Sequence, residues 1–316
     1  MDKLIYNICF SENNFAKKVK FIDKSSFILI DDMADLQIRN INNNDIINYK
    51  ENNYINDFDI LLEENYEIII FQCSNENPIR FLDKNLKEIK SFLLEDILKE
   101  KILSSFFIKI EPYSLNIFTG GNFFSKIDLI TNKILYIKTD KDYNLINCFD
   151  FSIRNSFYLI GSYNKNLLFC DFKTDKIENK IKLNYSINQI KIIENNQILI
   201  GYRNNDKISL FDLRNVNKEI ISFERKNFTQ QKINFTVNES NSILFSGDMN
   251  GKIILYDLKY YQKIKELNFE NSISSMDYLD NYLLFSTGTR NFDLFFENED
   301  EIKFINNKNN IQIIEI

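Results

Sequence analysis

Side chains able to do acid–base or nucleophilic chemistry are scarce in this chain, and the missing ones are the most telling. Its 316 residues include no histidine, the side chain that most often serves as a general base near neutral pH. A Ser-His-Asp triad and a Cys-His pair are thereby excluded. Four cysteines, Cys9, Cys73, Cys148 and Cys170, stand apart with no C-x-x-C pair. Their spacing supplies neither a zinc site nor a disulfide framework. They read as small buried apolar groups in a reducing compartment. Acidic neighbours occur at Asp31-Asp32 and Glu63-Glu64, but consecutive residues of a strand point to opposite faces, so they make poor acid/base pairs. No P-loop, G-x-G-x-x-G or H-x-E zinc motif is present. The expectation is a non-enzyme with no metal, no cofactor and no small-molecule substrate.

The regular feature is a cadence of aspartates. Alternating apolar runs end at Asp83, Asp128, Asp171, Asp212 and Asp257, as in Pro78-Ile-Arg-Phe-Leu-Asp83 and Ile253-Ile-Leu-Tyr-Asp257. Successive aspartates lie 45, 43, 41 and 45 residues apart, by subtraction of those positions. Leu36-Gln-Ile-Arg-Asn40 continues the series upstream with Asn. A second landmark precedes several of these runs, a strand closing on small residues, as in Phe118-Thr-Gly-Gly121, Leu159-Ile-Gly-Ser162 and Phe245-Ser-Gly-Asp248. Asn, Asp, Lys and Gly lie between the two landmarks and suit hairpin turns. A repeat of about 40–45 residues ending in aromatic-Asp resembles the blade of a WD-repeat propeller.

The chain accommodates about seven such units. The expected architecture is a single all-β domain over residues 1–316, a seven-bladed WD-repeat β-propeller closed by its N- and C-terminal strands in the last blade. The blades fall at about 15–52, 53–95, 103–141, 144–183, 186–225 and 231–268, with 271–316 plus 3–10 forming the seventh. Pairing of Lys3–Phe10 beside Asn310–Ile316 would leave no open sheet edge. Ser91–Glu100 is a candidate short helix, and the acidic stretch around Glu297–Glu301 a solvated hairpin insertion. WD repeats usually carry a hydrogen-bonded Asp-His-Ser/Thr-Trp network, and this chain has neither His nor Trp. Phe211, Tyr256 and Cys170 occupy the Trp position, and Phe fills space without donating a hydrogen bond. Cohesion between blades is therefore expected mostly from apolar packing. The N-terminus has polar residues where a signal peptide needs an apolar core, and no apolar run reaches membrane-spanning length. The reading is an intracellular protein without a membrane partner.

Local motifs, taken in order, resemble the telomerase Cajal body protein family. They include Asn14-Phe-Ala-Lys-Lys-Val-Lys-Phe21, Ile55-Asn-Asp-Phe-Asp59, Ser74-Asn-Glu-Asn-Pro-Ile-Arg-Phe-Leu-Asp83 and Gly161-Ser-Tyr-Asn-Lys165. Phe211-Asp-Leu-Arg214, Thr229-Gln-Gln-Lys-Ile-Asn-Phe235 and Ser286-Thr-Gly-Thr-Arg290 complete the series. The resemblance implies a nuclear platform for a small nuclear RNA or its ribonucleoprotein, with the cytoplasm as the alternative location. The implied contacts are Asn77, Tyr163, Lys165, Gln231, Lys232 and Arg290, and Arg80 and Arg203 join them as cations at or near strand ends and turns. Tyr163, Tyr202 and Phe292 are candidates for stacking on bases. A net charge of −6 and a pI near 5.1 oppose a grip by bulk electrostatics, so any such site must be a local patch. The competing function is a protein-interaction scaffold without RNA contact. Asp212 and Arg214 fit the Asp-x-Arg pattern by which some propellers dock on a cullin-ligase adaptor, making the chain a candidate ubiquitin-ligase substrate receptor. A splicing-complex subunit is another form of the same reading.

Overall fold

Ile, Phe, Tyr and Val favour extended backbone, and among its described residues the computed structural model contains 28 strands and no helix. It describes residues 3–10, 14–33, 35–50, 54–62, 68–74, 76–95, 103–111, 113–137, 145–152, 156–193, 196–229, 231–240, 242–288 and 309–316. Strand β1 (Lys3–Cys9) comes first. β2 (Ala16–Asp23), β3 (Ser26–Asp31), β4 (Asp35–Asn40) and β5 (Ile46–Lys50) then form a four-stranded sheet in that order. β6 (Ile55–Leu62), β7 (Ile68–Ser74), β8 (Ile79–Leu82) and β9 (Glu88–Phe92) form the next. A third contains β10 (Phe107–Glu111), β11 (Asn116–Gly120), β12 (Phe124–Asp128) and β13 (Lys133–Ile137). The fourth contains β14 (Ile146–Ser152), β15 (Phe157–Ser162), β16 (Asn166–Asp171) and β17 (Ile177–Lys182). β18 (Ile187–Ile193), β19 (Gln197–Tyr202), β20 (Lys207–Asp212) and β21 (Asn215–Glu224) build the fifth. β22 (Phe235–Asn238), β23 (Ile243–Gly247), β24 (Lys252–Asp257) and β25 (Gln262–Asn268) build the sixth. The seventh has the order β1-β28-β27-β26, from β26 (Ile273–Leu279), β27 (Tyr282–Thr287) and β28 (Asn310–Glu315). In it the first strand of the chain lies antiparallel to the last, with Ile8 opposite Ile311.

The chain divides into two compact units, one of Met1–Met33, Gln37–Ile46 and Arg225–Ile316, the other of Ala34–Leu36 and Ile47–Glu224. In the second unit, apolar side chains fill the space between neighbouring sheets. Phe81, Phe92 and Ile79 pack against Ile108, Ile110 and Ile117. Phe107, Phe118 and Phe124 meet Phe149, Tyr158 and Leu168, with the Phe118 and Phe149 rings stacked 4.5 Å apart. Leu159 and Leu167 pack with Ile187, Ile190, Ile198 and Phe211. In the first unit, Val19, Phe27 and Leu29 meet Leu284, Ile311 and Ile313, while Phe245 and Leu255 meet Ile273, Met276 and Phe285. The small residues that close the second strands are explained by this close approach. A Cβ on Gly247 would lie 2.9 Å from the Ile273 Cβ.

The residue that ends each cadence unit also has a structural job. Asn40, Asp83, Asp128, Asp171, Asp212 and Asp257 each accept backbone N–H groups two to four residues on, at 2.6–3.3 Å. This side-chain cap folds the turn into the fourth strand. A carboxylate that accepts N–H bonds resists protonation. The Thr131 and Thr174 amides accordingly hold Asp128 and Asp171 below the usual carboxylate range, and Arg214 holds Asp212 near about 2.

Two expectations are corrected. Ser91 and Phe92 are strand rather than helix, because the Phe92 ring is buried against Phe81 at 5.2 Å. The rest of that stretch beyond residue 95 lies outside the described residues, as does nearly all of the acidic insertion. Cys9 is exposed, on the strand paired with β28, whereas Cys73, Cys148 and Cys170 are buried. Polar contacts add to the apolar packing between sheets. In the fourth sheet the Tyr158 hydroxyl donates to Asp175 at 3.3 Å, and Lys126 of the third sheet pairs with Asp175 at 3.0 Å. Cys170, at the Trp position, lies buried beside them, its thiol pushed up to about 12 by burial.

Candidate functional site

A second polar cadence runs along the first strands of the sheets. It reads Ile55-Asn56-Asp-Phe-Asp59, Ile146-Asn147-Cys-Phe-Asp150, Ile187-Asn188-Gln-Ile-Lys191 and Ile273-Ser274-Ser-Met-Asp277. The first strand of a sheet has a free hydrogen-bonding edge, which must find partners when buried. These side chains supply them. In the second unit, Asn56 Nδ2 donates to the Ser105 carbonyl at 2.6 Å, and the Ile108 and Ile110 amides donate to Asp57 and Asp59 at 3.1 and 2.9 Å. Asn147 Nδ2 donates to the Ile187 carbonyl at 2.9 Å, and the Ile192 amide to Asp150 at 2.6 Å. Lys109 Nζ closes on the other Asp150 oxygen. In the first unit, the Ser274 hydroxyl donates to the Ala16 carbonyl at 2.8 Å and the Phe21 amide to Asp277 at 2.8 Å. Burial pushes the Asp277 carboxyl up, against the pull of Lys20. The acidic and basic residues of these strands are thus consumed in joining one sheet to the next.

The predicted contact residues fall into separate groups. Tyr163, Lys165 and Arg203 are brought together in the second unit, on the turns after β15 and β19. The Arg203 guanidinium carbon lies 4.7 Å from the centre of the Tyr163 ring. The connection 183–186 ties the two turns together. The Leu183 amide donates to the Lys165 carbonyl at 2.8 Å, Ser186 Oγ to the Tyr163 carbonyl at 2.6 Å, and the Arg203 amide to the Ser186 carbonyl at 2.9 Å. Tyr185, on this connection, is 40% exposed and meets Tyr202 edge-on at 5.5 Å. Lys165 is exposed and sits in the left-handed region at φ 66°, a conformation that costs a non-glycine residue about 1 kcal/mol.

The others lie apart from this group or are spent internally. Arg80 lies on β8 and pairs with Glu88. The Asn77 amide nitrogen is buried, with no hydrogen-bond partner among the described residues, so it is not a surface donor. In the first unit, Gln231 spends its amide on the Gly288 carbonyl at 3.0 Å, and Lys232 is exposed. Arg290 and Phe292 lie outside the described residues. Tyr202 is 3% exposed and its hydroxyl is pushed up to about 12 by burial, so it supports Tyr185 rather than presenting a stacking face. Arg214 is exposed and grips the capping carboxylate of Asp212 through Nε at 2.9 Å and Nη2 at 2.6 Å. The Asp-x-Arg pair is therefore part of a turn cap. Two residues of the loop junction were missed from sequence, Tyr185 and Lys182. Their signal was weak, a lone aromatic and a lone cation within a connection. Among the described residues no group of three or more Cys, Asp and Glu side chains could hold a metal ion.

This architecture has a solved counterpart. The crystal structure of the WD40 β-propeller domain of Doa1 aligns over 99% of this chain and 97% of its own, with a TM-score of 0.75 and 9% sequence identity. The fold is that of a WD40 β-propeller. No protein-family model and no curated relative matches the chain, so the resemblance to the telomerase Cajal body protein family finds no support there.

Proposed function

We propose that the chain is a non-catalytic, seven-bladed WD-repeat scaffold that binds other proteins through its turns. The observation that carries this reading is the division of labour among polar groups. The buried carboxylates of the first strands are occupied by backbone amides and Lys109, while the Tyr163–Lys165–Arg203 junction joins two turns and carries the exposed Lys165. A fold whose first-strand carboxylates are engaged in holding sheets together offers its loops for recognition.

A small nuclear RNA is the partner implied by the family resemblance. Less supports it. Asn77 and Gln231 are not surface donors, the Tyr163 ring is already covered by Arg203, and the net charge of −6 disfavours nucleic acid. Cross-linking in cell extract, followed by identification of the linked peptides, tests the choice. The expected outcome is protein cross-links to residues near 163–206 that survive ribonuclease. Loss of all partners after ribonuclease would favour the RNA reading, and the absence of any cross-linked protein would overturn the scaffold reading.

A further inference from the structure

The junction between the fourth and fifth sheets differs in charge from the chain around it. Residues 162–166, 182–188 and 201–206 hold Lys165, Lys182 and Arg203 against one acidic residue, Asp206, in a protein of net charge −6. Lys182 lies opposite Asn166 across β16 and β17, one residue from the Leu183–Lys165 hydrogen bond. None of the three cations has a carboxylate partner among the described residues. This contrasts with Lys109, Lys126, Lys207 and Lys252, which pair with Asp150, Asp175, Glu219 and Glu266.

We propose that this junction docks an acidic, extended segment of a protein partner, with Arg203 gripping a carboxylate and Lys165 and Lys182 flanking it. The proposal rests on the scaffold reading and names the chemistry of its partner. The cation–π contact with Tyr163, 4.7 Å from the ring centre, restrains the guanidinium, whose N–H groups suit a bidentate carboxylate. The hydrogen bonds through Leu183 and Ser186 hold both turns in place before binding, which lowers the ordering cost of association. The exposed part of Tyr185 offers an apolar surface beside the cations, the usual company of a charged anchor at a protein interface. Three cations are few for a nucleic acid backbone, whose binding rests on many phosphate contacts.

Fluorescence anisotropy with a labelled ten-residue peptide of alternating Glu and Gly tests this, alongside a labelled twelve-nucleotide oligouridine. The wild-type protein should bind the peptide, more weakly as salt rises. Arg203→Glu should weaken binding about tenfold or more, the scale of losing a charge-assisted bond. Lys165→Glu, an exposed substitution that spares the Tyr163 stack, should weaken it severalfold. Lys133→Glu makes the same change of charge on the exposed outer strand β13 and should leave affinity unchanged. Equal weakening by Lys133→Glu would reduce the effect to bulk charge and overturn the proposal. So would no peptide binding by the wild type, or full affinity in Arg203→Glu and Lys165→Glu. Tighter, Arg203-dependent binding of oligouridine would replace the peptide with RNA. A failed peptide test with ribonuclease-resistant cross-links intact would sink this proposal alone and spare the scaffold.

Discussion

Asp150 and Arg203 both belong to the second unit, and their surroundings give them opposite work. Asp150 lies on β14, almost fully buried, with one oxygen on the Ile192 amide and the other on Lys109. Arg203 lies on a turn, half-buried, with an aromatic face beneath it and no carboxylate partner among the described residues. Charge type alone does not separate an adhesive residue from a recognising one. What separates them is whether the group's partners are already inside the chain. A buried, paired charge costs stability when one partner is removed, whereas a surface charge without a partner can change with little effect on folding.

The comparison is sharpened first by a purely apolar reference. Phe211→Ala should destabilise by about 3–5 kcal/mol, the usual cost of removing a buried ring, because Phe211 is 5% exposed between the fourth and fifth sheets. A thermal melt measures it, and an unchanged midpoint would mean that the sheet packing described here is wrong. Asp150→Ala should come next, at about 3 kcal/mol, since it strands both the Lys109 ammonium and the Ile192 amide. A loss comparable with that of Phe211→Ala would place the polar links beside apolar packing as a cause of cohesion. A loss below about 0.5 kcal/mol would remove them from the account.

Acid should act on the turn caps. The carboxyls of Asp128, Asp171 and Asp212 are depressed, by the Thr131 amide, the Thr174 amide and the Arg214 side chain in turn. Their contribution is therefore present above about pH 4, the unfolded value. It is lost as pH falls towards the folded values, about 2 for Asp212. Asp277 is raised and has the opposite sign, favouring the folded state at low pH and losing that effect as pH rises. The sharper decline in melting temperature should fall between about pH 4 and pH 2, and stability that rises steadily on acidification would contradict the caps. The smallest expected effect on stability is that of Arg203→Ala, within about 0.5 kcal/mol of the wild type.

The strands were legible because each carries its own period-2 alternation and ends in a capped turn, as Ile253–Asp257 shows. The pairing of the first and last strands was legible for the same reason. The polar links of the first strands were not, although Ile55-Asn56, Ile146-Asn147 and Ile187-Asn188 repeat visibly once their role is known. A bond from Asn56 to the Ser105 carbonyl joins residues 49 apart, and nothing local marks either end. The Asn-rich composition hid the signal further. At the loop junction, Tyr163, Lys165 and Arg203 stand out in the sequence as candidate contacts, but the approach of Arg203 to the Tyr163 ring depends on how two turns meet. The burial of Tyr202 and the internal use of Gln231 likewise follow from packing that local sequence does not encode.

The division between adhesive and recognising charges is tested most directly by measuring two properties on two variants, the melting temperature and the affinity for the Glu-Gly peptide of Asp150→Asn and Arg203→Glu. Asp150→Asn should lower the melting temperature while the folded protein keeps its peptide affinity, and Arg203→Glu should keep the melting temperature and lose about tenfold or more in affinity. Both variants losing the same property, or Arg203→Glu binding as the wild type does, would contradict the account.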